Sequence, residues 1–205
     1  MKTNARILDA TAGLRSIWSK KRDSRVLFID IETELEYQPD LIMDSRKTDF
    51  KDKRYYNIFF DPPHYWGAEL GNNQFALRNK EEQDNFFERR NYKNKPWGLC
   101  SYYGADKYKT KQDLMNYIVD SQKEFYRILD DNGCLWVKWA ESKIKIDEII
   151  SLFVNWEEMM RFYIQHPKSS GKTQTYWIMF MKREDGVNQL SLSCTKSILC
   201  VGEEK

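Results

Sequence analysis

Short apolar runs separated by longer mixed stretches set the rhythm of this chain. The runs are Ala5 to Leu8, Val26 to Ile31, Leu41 to Met43, Asn57 to Phe60, Cys134 to Trp139 and Tyr176 to Met181. Strand-length runs alternating with helix-like segments predict an α/β sandwich built on a mostly parallel sheet. Leu14 to Lys21 reads as a short helix. Lys111 to Leu129 reads as a long one, with Leu114, Ile118, Phe125 and Leu129 on one buried face. Asp130-Asp131-Asn132-Gly133 then predicts a left-handed C-cap, because Asn and Gly tolerate that conformation. Ile144 to Val154 reads as a further helix and Met159 to Ile164 as a strand. His166-Pro167-Lys168-Ser169-Ser170-Gly171 is turn-like punctuation, so the last two strands are expected to pair antiparallel.

At 205 residues the chain is sized for one domain with one core. Its 33 basic and 31 acidic side chains nearly cancel, so overall charge gives no long-range pull on a polyanion, and any basic surface must be local. No apolar stretch approaches the roughly 18 residues of a membrane span, which excludes a membrane partner at this level. Cys100, Cys134, Cys194 and Cys200 show no metal-ligand or redox spacing, and the N-terminus lacks an apolar run before a cleavage site. The expected setting is the cytoplasm, with reduced thiols. No His/Cys cluster supports zinc, so no metal is expected, and His166 beside Pro167 reads as a loop residue. Lys172 between Gly171 and Thr173 lacks the remaining glycine spacing of a phosphate loop.

In open parallel sheets, ligands sit outside the carboxyl ends of the strands, so the residues closing each run carry the chemistry. The first run leads into Asp9-Ala10-Thr11-Ala12-Gly13, where Gly13 permits close backbone approach and Asp9 offers a carboxylate. The second closes on Asp30-Ile31-Glu32, and a carboxylate there suits a ribose diol. Asp44 and Asp49 follow the third. Singly, each has a plain reading as a helix N-cap or a solvated loop residue. Together, an acid after each of four successive strands fits a bound nucleoside. The fourth run supplies the strongest signal, Asp61-Pro62-Pro63-His64-Tyr65-Trp66. Its two prolines fix the backbone and remove two amide donors, which leaves carbonyls that only accept. A carboxylate beside a fixed carbonyl suits a planar NH2 group, and the ring of His64, Tyr65 or Trp66 is placed to stack on a flat base.

These segments, in this order, resemble the motifs of class I S-adenosylmethionine (SAM)-dependent methyltransferases. Within that class they are similar to the amino-methyltransferase branch that modifies exocyclic amines of adenine or cytosine. Asp61-Pro62-Pro63-His64, the Lys138-Trp139 closing the fifth strand and Gly171-Lys172-Thr173 resemble a group of small phage and bacterial methyltransferase-like proteins. The resemblance covers about residues 5 to 183. It implies a Rossmann-like, doubly wound, mostly parallel sheet with an antiparallel last strand. It further implies that Asp9, Ala10 and Gly13 lie at the methionine part of SAM, that Asp30 holds its ribose and that Asp44 sits by its adenine. Asp61, Pro62, Pro63 and His64 would form the catalytic motif, with Tyr65, Trp66 and Lys138 on the substrate side. Two departures stand out: Arg15 occupies the place of a second glycine, and His64 that of the usual Tyr, Phe or Trp.

From Arg78 to Lys111 there are nine basic residues (78, 80, 89, 90, 93, 95, 107, 109, 111) against five acidic ones (81, 82, 84, 88, 106). Phe86, Phe87, Tyr92, Trp97, Tyr102, Tyr103 and Tyr108 interleave with them, a pattern that suits a single strand or a flipped nucleotide as well as a solvated insertion with ordinary core aromatics. The expected organisation is a methyltransferase domain over 1–183, a target-handling insertion at about 66–110, and a tail over 184–205. The expected partner is DNA or RNA. The rivals are a protein amide or small amine as acceptor, and a catalytically silent relative that binds nucleic acid or a partner subunit.

Overall fold

The computed structural model describes residues 4–33, 35–66, 107–141, 143–164 and 174–183. Its strands are β1 (Ile7–Asp9), β2 (Val26–Asp30), β3 (Leu41–Ile42), β4 (Tyr55–Phe60), β5 (Leu129–Glu141), β6 (Trp156–Ile164) and β7 (Gln174–Lys182). Two helices accompany them among the described residues, α1 (Lys111–Ile128) and α2 (Ile146–Ile150). The strands form one sheet in the order β3-β2-β1-β4-β5-β7-β6. β1, β2, β3, β4 and β5 pair in parallel. β7 runs antiparallel between β5 and β6, so the expected antiparallel pairing of the last two strands is present.

α1 forms where its apolar spacing predicts. Thr110 caps it: its side chain accepts from Asp113 N at 3.1 Å, and the Asp113 carboxylate accepts from Thr110 N at 2.9 Å. Reciprocal caps of this kind contribute about 1 kcal/mol. The buried face of α1, with Leu114, Ile118 and Phe125, packs on Ile58, Phe60, Leu135 and Val137, and Ile146, Ile149 and Phe153 join the same cluster. Phe125 meets Phe60 edge-on at 4.9 Å, and Phe153 stacks on Phe180 at 4.7 Å. Truncating fully buried rings of this kind costs about 3–5 kcal/mol each. Two indole N–H groups drawn into this core are satisfied, Trp156 Nε1 donating to Gln122 Oε1 at 2.6 Å and Trp139 Nε1 to the Ile144 carbonyl at 3.1 Å. Both helices pack into this one cluster. A smaller one joins Ala12, Val26 and Phe28 with Ile7 and Trp18.

Three local expectations are corrected. Leu14 to Lys21 is not a helix but a series of turns. Gly13 and Arg15 sit at φ +46° and +54°, and two left-handed residues in three break a right-handed helix at its start. Asp130 to Gly133 is not a left-handed cap: Leu129 leaves α1 with φ −78° and ψ 140° and enters β5 directly. The extra residues form an irregularity, because Tyr55 pairs with Leu129 but Asn57 pairs with Cys134. Gly133 serves there by its small size, since a Cβ would lie 2.8 Å from the Leu129 side chain. The helix expected over 144–154 shortens to α2, and β6 begins at Trp156 rather than Met159.

Candidate functional site

Strand order reverses at β1, which has β2 on one side and β4 on the other, and this switch point opens a crevice at the carboxyl ends. A cavity of about 560 Å³ occupies it, within the roughly 300–1,000 Å³ of small-molecule sites. The loop after β1 forms its floor and is tied to both neighbours. Ala10 N donates to the Phe59 carbonyl at 2.9 Å and Ala12 N to the Ile29 carbonyl at 3.0 Å. Thr11 Oγ1 accepts from Asp61 N at 2.7 Å, so the loop after β1 and the loop after β4 are fixed to each other.

Ala10, Gly13, Asp30, Asp44, Asp61 and Pro63 all line this cavity, so the structure brings together residues drawn from four strand ends. Asp30 does two things there. Its Oδ2 accepts from Gly13 N at 2.8 Å and its Oδ1 from Glu32 N at 2.9 Å, which fixes the loop after β1 before any ligand arrives. Each carboxylate oxygen retains a second lone pair. Glu32 also lines the cavity and pairs with Lys107 at 2.5 Å. Asp44 is held by Arg46, whose Nη2 lies 2.6 Å from Oδ2 and whose backbone N donates to Oδ1 at 2.9 Å. Burial pushes the Asp44 carboxyl up, and the Arg46 hydrogen bonds outweigh it and hold the pKa below the ordinary carboxylate value.

Asp9 is placed differently. It is 2% exposed and does not line the cavity. Trp18 Nε1 donates to its Oδ2 at 2.7 Å and Thr11 N to its Oδ1 at 3.2 Å, so it supports the loop from behind. Burial pushes its carboxyl up to about 7; the hydrogen bonds from Trp18 and Thr11 oppose the rise, and the charges of Asp61 and Asp30 add to it.

Arg15 takes the left-handed backbone that a glycine would take, and its side chain leaves the cavity clear. The guanidinium lies 3.9 Å from the centre of the Phe28 ring and donates to the carbonyls of Lys21 and Gln38, the latter at 2.5 Å. The departure from the glycine pattern is therefore absorbed within the fold.

Asp61 stands at the junction of the cavity and the motif that follows β4. Lys138 Nζ donates to its Oδ2 at 2.6 Å, and His64 Nε2 lies 3.4 Å from its Oδ1. Burial pushes the Asp61 carboxyl up, but the His64 hydrogen bond and the Lys138 charge together outweigh it and hold the group below its ordinary value, as a carboxylate. The His64 ring meets Trp139 edge-on at 4.8 Å, and its Nδ1 is buried without a partner among the described residues. Pro62 is buried and does not line the cavity; neither do His64, Tyr65, Trp66 and Lys138. Trp66 packs against the main core.

Several lining residues carried no signal as site residues. Tyr117 on α1 reads as one more core position, yet its hydroxyl lies 2.9 Å from Ser45 Oγ, which in turn lies 3.1 Å from Ser121 Oγ. Burial pushes the Tyr117 hydroxyl up to about 12, so it stays protonated. Tyr108 packs against it with ring centres 4.9 Å apart. Tyr108 is thus buried in the cavity wall, and Lys107 and Lys111 are paired with Glu32 and Glu148. The end of the basic, aromatic segment therefore serves the cavity; its residues 78–106 lie outside the described residues, as do His166 and Gly171-Lys172-Thr173. Among the described residues no His/Cys/Asp/Glu group is arranged to hold a metal, and no helix is long and apolar enough to cross a membrane.

No protein-family model and no curated protein matches the chain. Solved structures do. The PH0226 protein of Pyrococcus horikoshii OT3 matches at 11% identity and TM-score 0.50, over 89% of this chain and 84% of that one. The N-methyltransferase NodS of Bradyrhizobium japonicum WM9, in complex with S-adenosyl-L-homocysteine, matches at 11% identity and TM-score 0.48, over 88% and 79%. A putative type 11 methyltransferase from Sulfolobus solfataricus matches at 12% identity and TM-score 0.44, over 91% and 89%. Likeness at these identities concerns the fold. With its switch point at β1 and antiparallel β7 between β5 and β6, the chain has a Rossmann-like α/β fold, which the likeness to the PH0226 protein supports.

Proposed function

We propose that the chain is a SAM-dependent methyltransferase acting on an exocyclic amine of a base in DNA or RNA, adenine N6 or cytosine N4. The observation that carries the reading is the position of Asp61. It is a carboxylate on the wall of a nucleoside-sized cavity, at the end of β4, fixed by Thr11 on the cavity side and by Lys138 and His64 beyond it.

The charge of the wall argues for the cofactor class. Six carboxylates line the cavity (Asp30, Glu32, Asp44, Asp61, Asp113 and Asp120) against Arg46 and Lys107. Lys123 and Lys138 pair with Asp120 and Asp61, and the site still remains acidic. Such a wall disfavours the pyrophosphate of a dinucleotide and favours a ligand carrying a sulfonium and an ammonium. The loop after β1 leads into turns, so no helix N-terminus follows it to bind phosphate. Asp30 or Glu32 is placed to accept from the ribose hydroxyls. Asp44, Tyr108 and Tyr117 also line the cavity, and the two aromatic rings suit a flat base.

Bound there, SAM supplies an electrophilic methyl group. The chain's own contribution is alignment and electrostatics. Asp61 would accept an N–H of the target amine, direct the nitrogen lone pair along the transfer line, and stabilise the positive charge that develops on nitrogen until that N–H proton leaves by way of the carboxylate to solvent. Pro62, which has no N–H, offers a carbonyl as the second acceptor.

Asp30→Ala is expected to weaken SAM binding by about 2 kcal/mol or more, through lost ribose hydrogen bonds and a loosened Gly13 loop. Calorimetric titration checks this. An unchanged dissociation constant would move the ribose contact to Glu32. The acceptor is tested by tritiated methyl transfer to DNA, RNA and protein fractions. Label is expected in nucleic acid as methylated adenine or cytosine; label in protein alone would favour the amide or amine acceptor. SAM binding with no transfer to any fraction would favour the silent relative.

A further inference from the structure

We infer that Lys138 determines specificity: its ammonium donates to an acceptor atom beside the target amine, so that Asp61 and Lys138 together read the donor–acceptor edge of an amino-substituted ring. The inference deepens the acceptor reading above and rests on it.

Register places the two residues side by side. Phe60 pairs with Val137, so Asp61 and Lys138 are the next step toward the carboxyl ends of adjacent strands. Val137 is buried in the core, and alternation turns Lys138 to the other face of the sheet. Its ammonium reaches Asp61 Oδ2 at 2.6 Å without contributing to the cavity wall, although Asp61 itself does. In-line transfer requires the nucleophile to approach the methyl from the side opposite sulfur. The target amine therefore meets the methyl group at the edge of the cofactor cavity, beside Asp61, and Lys138 reaches that same carboxylate from outside the cavity wall.

Lys138 is equipped for a second contact. An ammonium carries three donors, and among the described residues Asp61 is the only hydrogen-bond partner of this one. The side chain is about a fifth exposed (21%), so the group is reachable. The carboxylate accepts and the adjacent ammonium donates, and the complementary ligand edge is an N–H beside a lone pair. Adenine N6 with N1 and cytosine N4 with N3 present that edge. A simple alkylamine does not. The contact orients more than it activates, since a cation on the ring nitrogen draws electron density from the amine. Asp61, holding the amine N–H, offsets that withdrawal.

The experiment is a cycle between protein and substrate. Oligonucleotides with randomised flanks carry a central adenine or cytosine, or the same base with the neighbouring ring nitrogen replaced by C–H (1-deazaadenine, 3-deazacytosine). Single-turnover transfer is measured for wild type and Lys138→Met, which keeps the stem and removes the charge. Wild type is expected to lose about 10- to 100-fold on the deaza base, as for loss of a hydrogen bond to a charged group. Lys138→Met is expected to lose a similar factor on the parent base and nothing further on the deaza base. Lys138→Gln, with a neutral donor, should recover part of the discrimination. SAM binding within severalfold of wild type shows that both variants keep the site. A deaza penalty equally large in wild type and Lys138→Met, or absent in wild type, overturns the inference and leaves the base-amine reading standing. Absence of transfer to every parent oligonucleotide overturns both.

Discussion

Replacing Asp61 by alanine is expected to lower the single-turnover rate of methyl transfer about a hundredfold or more, while SAM affinity stays within severalfold. Removal of one preorganised electrostatic partner has that typical cost. The effect falls on rate because the interaction strengthens as positive charge grows on the target nitrogen, and is weaker toward the uncharged amine before transfer. The loop itself survives the substitution, since Thr11 Oγ1 bonds to the backbone N of residue 61 and not to its side chain. Asp61→Asn separates the two parts of the role: it keeps an acceptor for the target N–H but removes the negative charge beside Lys138 and His64. Rates for both variants, set beside their SAM affinities, distinguish a catalytic carboxylate from one that merely shapes a turn. Equal turnover by wild type and Asp61→Ala would remove Asp61 from the chemistry.

Asp9 is expected to make the folded state more sensitive to pH than any surface carboxylate does. Its pKa rises from the ordinary 3.8 to about 7 on folding. Between those values the folded state binds a proton that the unfolded state has lost, so stability falls as pH rises from about 4 toward 7 and levels off above. The full shift corresponds to at most ~4 kcal/mol. Asp9→Asn removes the titration and retains an acceptor for Trp18 Nε1. Its stability relative to wild type should therefore increase from about pH 4 to about pH 7 and level off above, as read by denaturant unfolding at several pH values. Parallel pH profiles for the two proteins would show that Asp9 does not titrate in this window. The buried carboxyl has a local purpose, since it organises Trp18 and the backbone of Thr11 behind the cavity floor.

The parts of this architecture that announce themselves along the chain are those in which one residue decides. An apolar run that closes on a carboxylate is an anomaly visible at a single position, which is why Asp30, Asp44 and Asp61 stand out before any folding is considered. α1 is legible for a related reason, because a repeated apolar spacing over 18 residues admits one buried face. The segment over 14–21 misleads because its composition suits a helix while the backbone at Gly13 and Arg15 does not, and a left-handed arginine has no sequence signature. The Ser45, Tyr117 and Ser121 cluster was illegible because it joins residues 72 and 76 positions apart, and each alone looks like core or loop. The pairing of Lys138 with Asp61, 77 residues apart, likewise depends on β5 lying beside β4, which only the sheet order establishes.

The central claim is that the crevice at the carboxyl ends of β1, β2 and β4 takes SAM. Calorimetric titration of the chain with SAM, beside a matched titration with NAD, tests it most directly. The acidic wall formed by Asp30, Glu32 and Asp44 predicts one-site binding of SAM and no binding of the doubly phosphorylated dinucleotide. Binding of NAD with no heat from SAM would contradict the account.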